Sequence, residues 1–262
     1  MSKLQGKYVL ITGASGGIGE AIAYQVAEQQ GIPILVARSQ EKLQKIASQI
    51  TAGYQVKPII RVVDITNFQE WEQILQGLIA ELNRIDVLIN NAGIGYFDRY
   101  TDMEWERIDH MVTLNNRSLF FTTYQLLPHM FEGTDAHIIN IGSQAGKIAT
   151  PKSAVYSATK ASVISFSNAL RMELDGKVRV TSVNIGPVST SFFDTADPSG
   201  QYQQSVARYM LNPDDVATKV VQAIFTRKRE VNLPAWMQAG SKLYQIVPRV
   251  VELFGKRLFN KK

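Results

Sequence analysis

The sequence predicts an α/β fold: a doubly wound, mostly parallel, seven-stranded sheet with helices on both faces. Two observations carry this. Short apolar runs alternate with helix-patterned stretches along the whole of the 262 residues, the order that parallel strands joined by crossover helices require. The first of those runs also enters a glycine-rich turn that opens the first helix. With 45% hydrophobic and 19% charged residues, the chain has enough apolar surface for a sizeable core.

Each element follows in order. "YVLIT" (Tyr8–Thr12) is the first strand, and a helix after the glycine-rich turn extends to about Gln30. "PILVA" (33–37) is the second strand, followed by helical "QEKLQKIASQI". "PIIRVVD" (58–64) is the third. Thr66 and Gln69 have the spacing of a capping box and predict a helix from there to about Asn83. "DVLIN" (86–90) is the fourth strand, and Thr101 with Glu104 predicts a second capping box opening a helix towards Phe131. "AHIINI" (136–141) is the fifth, a helix covers about Ala154–Leu174, and "VRVTSVNI" (178–185) is the sixth. Asn212 as cap and Pro213 at the first helical position start the next helix, and "EVNLP" (230–234) closes the sheet as a seventh strand. No linker, low-complexity segment or repeat interrupts this order, so residues 1–262 read as one domain. The longest irregular stretch, 191–211, follows the sixth strand. Ligands of open α/β sheets sit beyond the strands' carboxyl ends, so this stretch is a candidate substrate lid.

Composition narrows the chemistry. The absence of cysteine excludes disulfides, thiolate metal sites and a cysteine nucleophile. No signal peptide or bilayer-spanning run is recognisable, so a cytoplasmic location is expected. The three histidines, His110, His129 and His137, lack metal-ligand spacing and read as surface or packing residues, with no metal site expected. The net charge of +5 is uneven: from Arg227 onward nine Lys/Arg face two Glu, a net +7 that leaves −2 for the preceding residues. The high pI thus belongs to the end of the chain and argues against nucleic-acid binding by the fold as a whole.

"TGASGGIG" (Thr12–Gly19) joins the first strand to the first helix. Gly13 permits a tight turn, while Gly17 and Gly19 let backbone and helix approach a pyrophosphate at the helix N-terminus. No Gly-Lys-Ser/Thr follows, which argues against a P-loop. Where an acidic residue after the second strand would bind the ribose 2′-hydroxyl of NAD, Arg38 stands instead, suited to a 2′-phosphate. NADP(H) is therefore expected over NAD(H), with Ser15 as a second phosphate contact. Tyr156 and Lys160 lie four residues apart and share a helix face. A tyrosine has a pKa of about 10, and a neighbouring ammonium would lower it towards use as an acid or base. Ser157, Ala158 and Ala161 would let that helix pack closely beside a cofactor or a neighbouring subunit.

Taken together, "TGASGGIG", Asp64 after the third strand, "NNAG" (90–93), Asn115, Ser143, and Tyr156 with Lys160 resemble the short-chain dehydrogenase/reductase family in order and spacing, Ser143 preceding Tyr156 by thirteen residues. The resemblance spans most of the chain. It implies a Rossmann-type fold, the short NADP(H)-preferring branch, and interconversion of a carbonyl and a secondary alcohol. Tyr156 would be the general acid/base, Lys160 would lower its pKa and hold the nicotinamide ribose, and Ser143 would bind the substrate oxygen. Asn115 would anchor a proton-relaying water. Asp64 would contact the adenine, and Ile18, Asn90 and Gly93 would line the cofactor cleft. Such relatives are commonly homodimers or homotetramers. One motif departs: in "NIGPVSTSFF" (184–193) Ile185 takes the family's usual proline position, while Gly186, Val188 and Thr190 remain, Thr190 to meet the carboxamide. A nucleotide-binding regulator or scaffold on the same fold, with little or no catalysis, is the alternative, disfavoured by the complete Asn115, Ser143, Tyr156 and Lys160 set.

Tyr96, Phe97, Phe192, Phe193 and Tyr202 are candidates for an apolar substrate pocket. The basic, amphipathic tail 236–262 has apolar residues at helical spacing (Leu243, Ile246, Val247, Val250, Val251, Phe254, Leu258), with Pro248 breaking or restarting the helix. A packing helix is the favoured reading, ahead of a lid and of contact with an anionic membrane surface.

Overall fold

A computed structural model of the chain describes residues 2–132, 135–249 and 252–253. Its sheet has seven strands: β1 (Tyr8–Thr12), β2 (Ile32–Ala37), β3 (Ile59–Val62), β4 (Val87–Asn90), β5 (Ala136–Ser143), β6 (Val178–Ile185) and β7 (Glu230–Leu233). Their spatial order is β3-β2-β1-β4-β5-β6-β7, and every pairing is parallel, where a mostly parallel sheet was expected. The order reverses between β1 and β4, which opens a crevice at their carboxyl ends.

Both faces of the sheet are buried, so the strands are continuously apolar and neighbouring side chains enter different layers. Val9 and Ile11 pack with α1 (Gly17–Glu28), α2 (Gln40–Tyr54) and α9 (Pro213–Ala223). Leu10, between them, faces α3 (Phe68–Leu82), α5 (Ser118–Glu132) and α6 (Ala154–Leu174). On that side Trp71 is fully buried, and its indole donates to Thr122 Oγ1 at 2.8 Å.

Two capping expectations fail, each because the threonine is engaged elsewhere. The cap of α3 is Asn67, whose side-chain oxygen accepts from the Glu70 amide at 3.4 Å while its amide donates to the Glu70 carboxylate at 3.0 Å. Thr66 instead donates to Asp64 at 2.7 Å. Thr101 lies in a 3₁₀ turn (Tyr100–Asp102) and donates to Asp102. Helix α4 starts only at Trp105 and runs to Val112, and a π-helical turn (Thr113–Arg117) joins it to α5. Asn212 does cap α9 behind Pro213, accepting from Asp214 N at 2.8 Å.

The stretch after β6 holds more structure than its composition suggests: α7 (Phe192–Ala196), α8 (Gln201–Val206) and a 3₁₀ turn (Ala207–Tyr209). Its base is closed by a Val188–Leu211 bridge, with Leu211 N donating to Pro187 O at 2.8 Å and Ser189 N to Leu211 O at 2.9 Å. After β7, α10 (Ala235–Ile246) ends before Pro248, as expected. Val250, Val251, Phe254 and Leu258 of the tail pattern lie outside the described residues. No helix among the described residues is long and apolar enough to cross a membrane. His137 is a packing residue: fully buried, it accepts from Phe225 N at 2.8 Å, and burial pushes its imidazole down to about 3.

Candidate active site

A cleft of about 600 Å³ runs along the carboxyl ends of the strands, from the glycine-rich turn to α10. Its first wall is the turn itself: Gly13, Ser15, Gly17 and Ile18. Gly13 has φ +69°, and a Cβ there would stand 2.9 Å from Ala92 Cα. Gly19 does not face the cleft. A Cβ on it would come within 2.3 Å of Gly13 O, so glycine is needed there for α1 to start close against the turn. The N-terminus of α1 has no side-chain cap, which leaves backbone N–H groups directed at the cleft, a setting suited to an anion.

Asn91, Ala92 and Gly93 form the floor. Asn91 locks the end of β4 to the turn, its amide donating to Thr12 O at 2.9 Å. Asn90, expected in the cleft, points into the core instead and donates to Asn140 Oδ1 at 2.9 Å. Strand alternation sends neighbouring residues to opposite sides, and the more accessible of the two asparagines is the second. Asn115, on the π-helical turn, also lies behind the cleft wall. It accepts from Ile94 N at 2.8 Å and donates to Ile94 O at 2.8 Å and Thr159 Oγ1 at 3.1 Å. Its side chain thus clamps the β4 loop to α6.

Ser143, Tyr156 and Lys160 meet in the cleft. Ser143 ends β5 and caps the 3₁₀ turn Gln144–Gly146, accepting from Ala145 N at 3.1 Å and donating to Ile185 O at 3.3 Å. Tyr156 and Lys160 lie one turn apart on α6, and the Lys160 ammonium stands 5.9 Å from the tyrosine ring centre. Lys160 donates to Ile141 O at 3.1 Å, and burial pushes its ammonium down to about 8. Tyr156 runs opposite to the direction expected from its lysine neighbour. Burial pushes the phenol up to about 12, against the smaller lowering effect of a hydrogen bond with Ser143.

Val188 and Thr190 complete the cleft wall beside the turn, with the methyl of Thr190 placed 3.1 Å from where a Gly17 Cβ would stand. Ile185, in place of the family's proline, packs its side chain against the core. Arg38 and Asp64 lie outside the cleft wall, at the adjoining ends of β2 and β3, ion-paired at 3.6 Å. Arg38 is 71% exposed. Burial raises the Asp64 carboxyl, but its bonds to Thr66 and the Arg38 charge hold it below the usual range.

The far end of the cleft is aromatic. Phe97 meets Tyr156 edge-on at 5.6 Å and Tyr202 at 5.3 Å, and Phe192 and Phe193 pack around it. Tyr96 is absent from this group because its hydroxyl turns to His110, 3.2 Å away. The composition pattern missed Tyr209, Trp236 and Met237, which also line this end. It missed two glycines as well. A Cβ on Gly95 would stand 2.8 Å from Phe192 Cζ, and one on Gly146 2.6 Å from the Lys160 backbone. Neither position belongs to a recognisable glycine motif, since only the folded contact requires it.

Comparison with known proteins adds the family. The sequence model described as short chain dehydrogenase matches residues 7–199. The chain belongs to the short chain dehydrogenase family. An uncharacterised oxidoreductase of Staphylococcus aureus is 34% identical over 234 residues, 89% of this chain and 96% of the relative. A serine dehydrogenase solved with NADP+ is 33% identical, with a TM-score of 0.77 over 86% of this chain and 94% of that one. A 3-ketoacyl-(acyl-carrier-protein) reductase from Brucella melitensis, solved with NADH, is 27% identical, with a TM-score of 0.78 over 88% of this chain and 98% of that one. This short chain dehydrogenase is therefore an oxidoreductase with a Rossmann-like fold, of a family that works with nicotinamide nucleotides.

Proposed function

We propose that this short chain dehydrogenase interconverts a carbonyl and a secondary alcohol with NADP(H), Tyr156 moving the proton. The observation that carries the reading is the meeting of Ser143, Tyr156 and Lys160 in a cleft whose other end is an uncapped helix N-terminus. The residues present fit a dinucleotide: Ser15, Gly17 and Ile18 would hold the pyrophosphate, Gly93 and Lys160 the nicotinamide ribose, and Val188 and Thr190 the nicotinamide. When bound, the nicotinamide supplies or accepts hydride at the carbonyl carbon. The chain's own groups do the rest. Ser143 donates to the substrate oxygen as charge develops on it, and the Tyr156 phenol delivers the proton there. The Lys160 ammonium favours the phenolate that remains. Asn115 keeps the floor loop and α6 in register, and residues 191–211 act as the lid over the aromatic end.

NADP(H) over NAD(H) rests on Arg38, which occupies the site of the usual acid. A groove beside the turn is lined by Ser15, Lys42 and Lys45 with Glu20, a net single positive charge. Arg38→Asp is expected to lower kcat/KM for NADPH about 10- to 100-fold, the value of one or two charge-assisted hydrogen bonds, with little effect on NADH. An unchanged NADPH to NADH ratio rejects the assignment.

The pH dependence follows from Lys160. Its depressed pKa means that the ammonium is present below about 8 and is lost as pH rises through that value, while Tyr156 keeps its proton to about 12. Reductive kcat/KM, which reports ionisations of the free enzyme, should be level below about pH 8 and fall above it by about tenfold per unit. A profile level from pH 7 to 10 excludes a required charge on Lys160. The reading as a whole is tested by a carbonyl and alcohol panel with NADPH and NADH. A folded protein that binds neither nucleotide and turns over none of the panel overturns it, and one that binds nucleotide without turnover favours the regulator or scaffold.

A further inference from the structure

Helix α10 presents its apolar face outward. Met237 and Ser241, four residues apart, turn towards the body: Ser241 is buried, and Met237 Sδ stands 2.9 Å from where a Gly186 Cβ would be. Trp236, Ala239, Leu243 and Ile246 recur at steps of three and four on the opposite face, and all are exposed. Trp236 is 58%, Leu243 55% and Ile246 76% exposed, and Leu253 beyond the helix is 71% exposed. An amphipathic helix normally buries such a stripe, so a contiguous one left exposed marks a contact surface.

Charge says what covers it. Lys242 and Arg249 are exposed beside the stripe. At its cleft end Arg208 lies 4.6 Å over the Tyr209 ring, which packs on Trp236 at 5.8 Å. The sequence after Arg249 adds Lys256, Arg257, Lys261 and Lys262 against a single acid, Glu252. Exposed Trp and Leu/Ile flanked by Lys and Arg is the composition of a segment that lies in the interface of an anionic bilayer. A second copy of this chain would set these like charges against one another.

We propose that α10, with Lys242 and Arg249 beside its exposed stripe, docks the enzyme on an anionic lipid surface. Tyr209, Trp236 and Gly240 belong both to this patch and to the rim of the cleft. Docking therefore sets the aromatic end of the cleft at the depth of the headgroups, where a lipid-soluble substrate could enter without crossing water. Vesicle binding requires no turnover, so it is tested independently of the proposed reaction.

The test is cosedimentation of the full-length protein with vesicles of phosphatidylcholine alone or with about one third phosphatidylglycerol. Binding to the anionic vesicles should exceed binding to the neutral ones by at least about tenfold at low salt, and the excess should be lost near 1 M salt, where screening is nearly complete. Trp236 fluorescence should shift to the blue on binding. Leu243→Glu with Ile246→Glu should remove binding while NADPH affinity is kept. Lys242→Glu with Arg249→Glu, on exposed positions, should weaken it at least about tenfold. No binding to the anionic vesicles at low salt overturns the proposal, as does binding that survives both double variants. Loss of a dimer on Leu243→Glu with Ile246→Glu, without vesicle binding by the parent, overturns it too and assigns the face to a second copy.

Discussion

Tyr156→Phe should lower turnover by about 10²- to 10⁴-fold, the usual worth of a positioned acid or base, and leave nucleotide affinity nearly unchanged. Only the hydroxyl is removed. The ring contacts of Tyr156 with Phe97 at 5.6 Å and Phe192 at 5.8 Å remain available to phenylalanine, so the melting temperature should hold. Lys160 keeps its bond to Ile141 O. Ser143 also stays fixed through Ala145 N and Ile185 O. Single-turnover rates with NADPH, alongside fluorescence titration of NADPH, separate the two effects. Turnover within about threefold of the parent would remove Tyr156 from the chemistry, since that is under 1 kcal/mol of barrier.

Gly146→Ala should be as damaging by a different route. The added carbon would stand 2.6 Å from the Lys160 carbonyl carbon and 2.7 Å from Ala161 N and Lys160 O. All three atoms are backbone in the middle of α6, so no side-chain tip can swing away. Either the 3₁₀ turn lifts from the helix or the helix moves off the sheet. That turn is capped by Ser143, so the contact sets the spacing between Ser143 and the Tyr156–Lys160 pair. A displacement of about 1 Å can cost about 10²-fold in rate, and overpacking costs about 1–3 kcal/mol in stability. Both kcat and the melting temperature should fall. Gly77→Ala is the control: it lies exposed in α3 with nothing within 4 Å of the new carbon and should be neutral or slightly stabilising. Parent-like kcat in Gly146→Ala would show that the turn and helix have slack that the geometry denies.

The strands were legible because their apolar runs are bounded by turn residues, and α6 because small and apolar residues persist from Ala154 to Leu174. The four-residue step put Tyr156 and Lys160 on one helix face, but only the family resemblance singled the pair out and added Ser143, because a strand end and a helix further along the chain are brought together by the fold. Competition between equally good partners was not legible. Thr66 and Asn67 are both capping residues, and Asp64 decides between them by taking the threonine hydroxyl. Asn90 and Asn91 are chemically identical, and only the pleat sends one to the core and the other to the cleft. The direction of the Tyr156 shift also lay beyond the sequence, because it depends on how completely the ring is buried beside Phe97 and Phe192. Gly95 and Gly146 are invisible for a related reason: what they make room for comes from distant parts of the chain.

The closed base beneath residues 190–210 has a consequence for how such an enzyme can change. Pro187, Ser189 and Leu211 hold the two ends of this excursion together by backbone bonds that no side chain in between supplies. Lengthening a loop between fixed ends costs only about 0.6 kcal/mol per doubling. The stretch therefore behaves as a cassette, replaceable without altering the register of β6 or the start of α9. Phe192, Phe193 and Tyr202 lie on the cassette, whereas Ser143, Tyr156 and Lys160 lie on the frame. Under the proposed function, mutation beyond Thr190 can reshape the aromatic end of the cleft while Ser143, Tyr156 and Lys160 stand still.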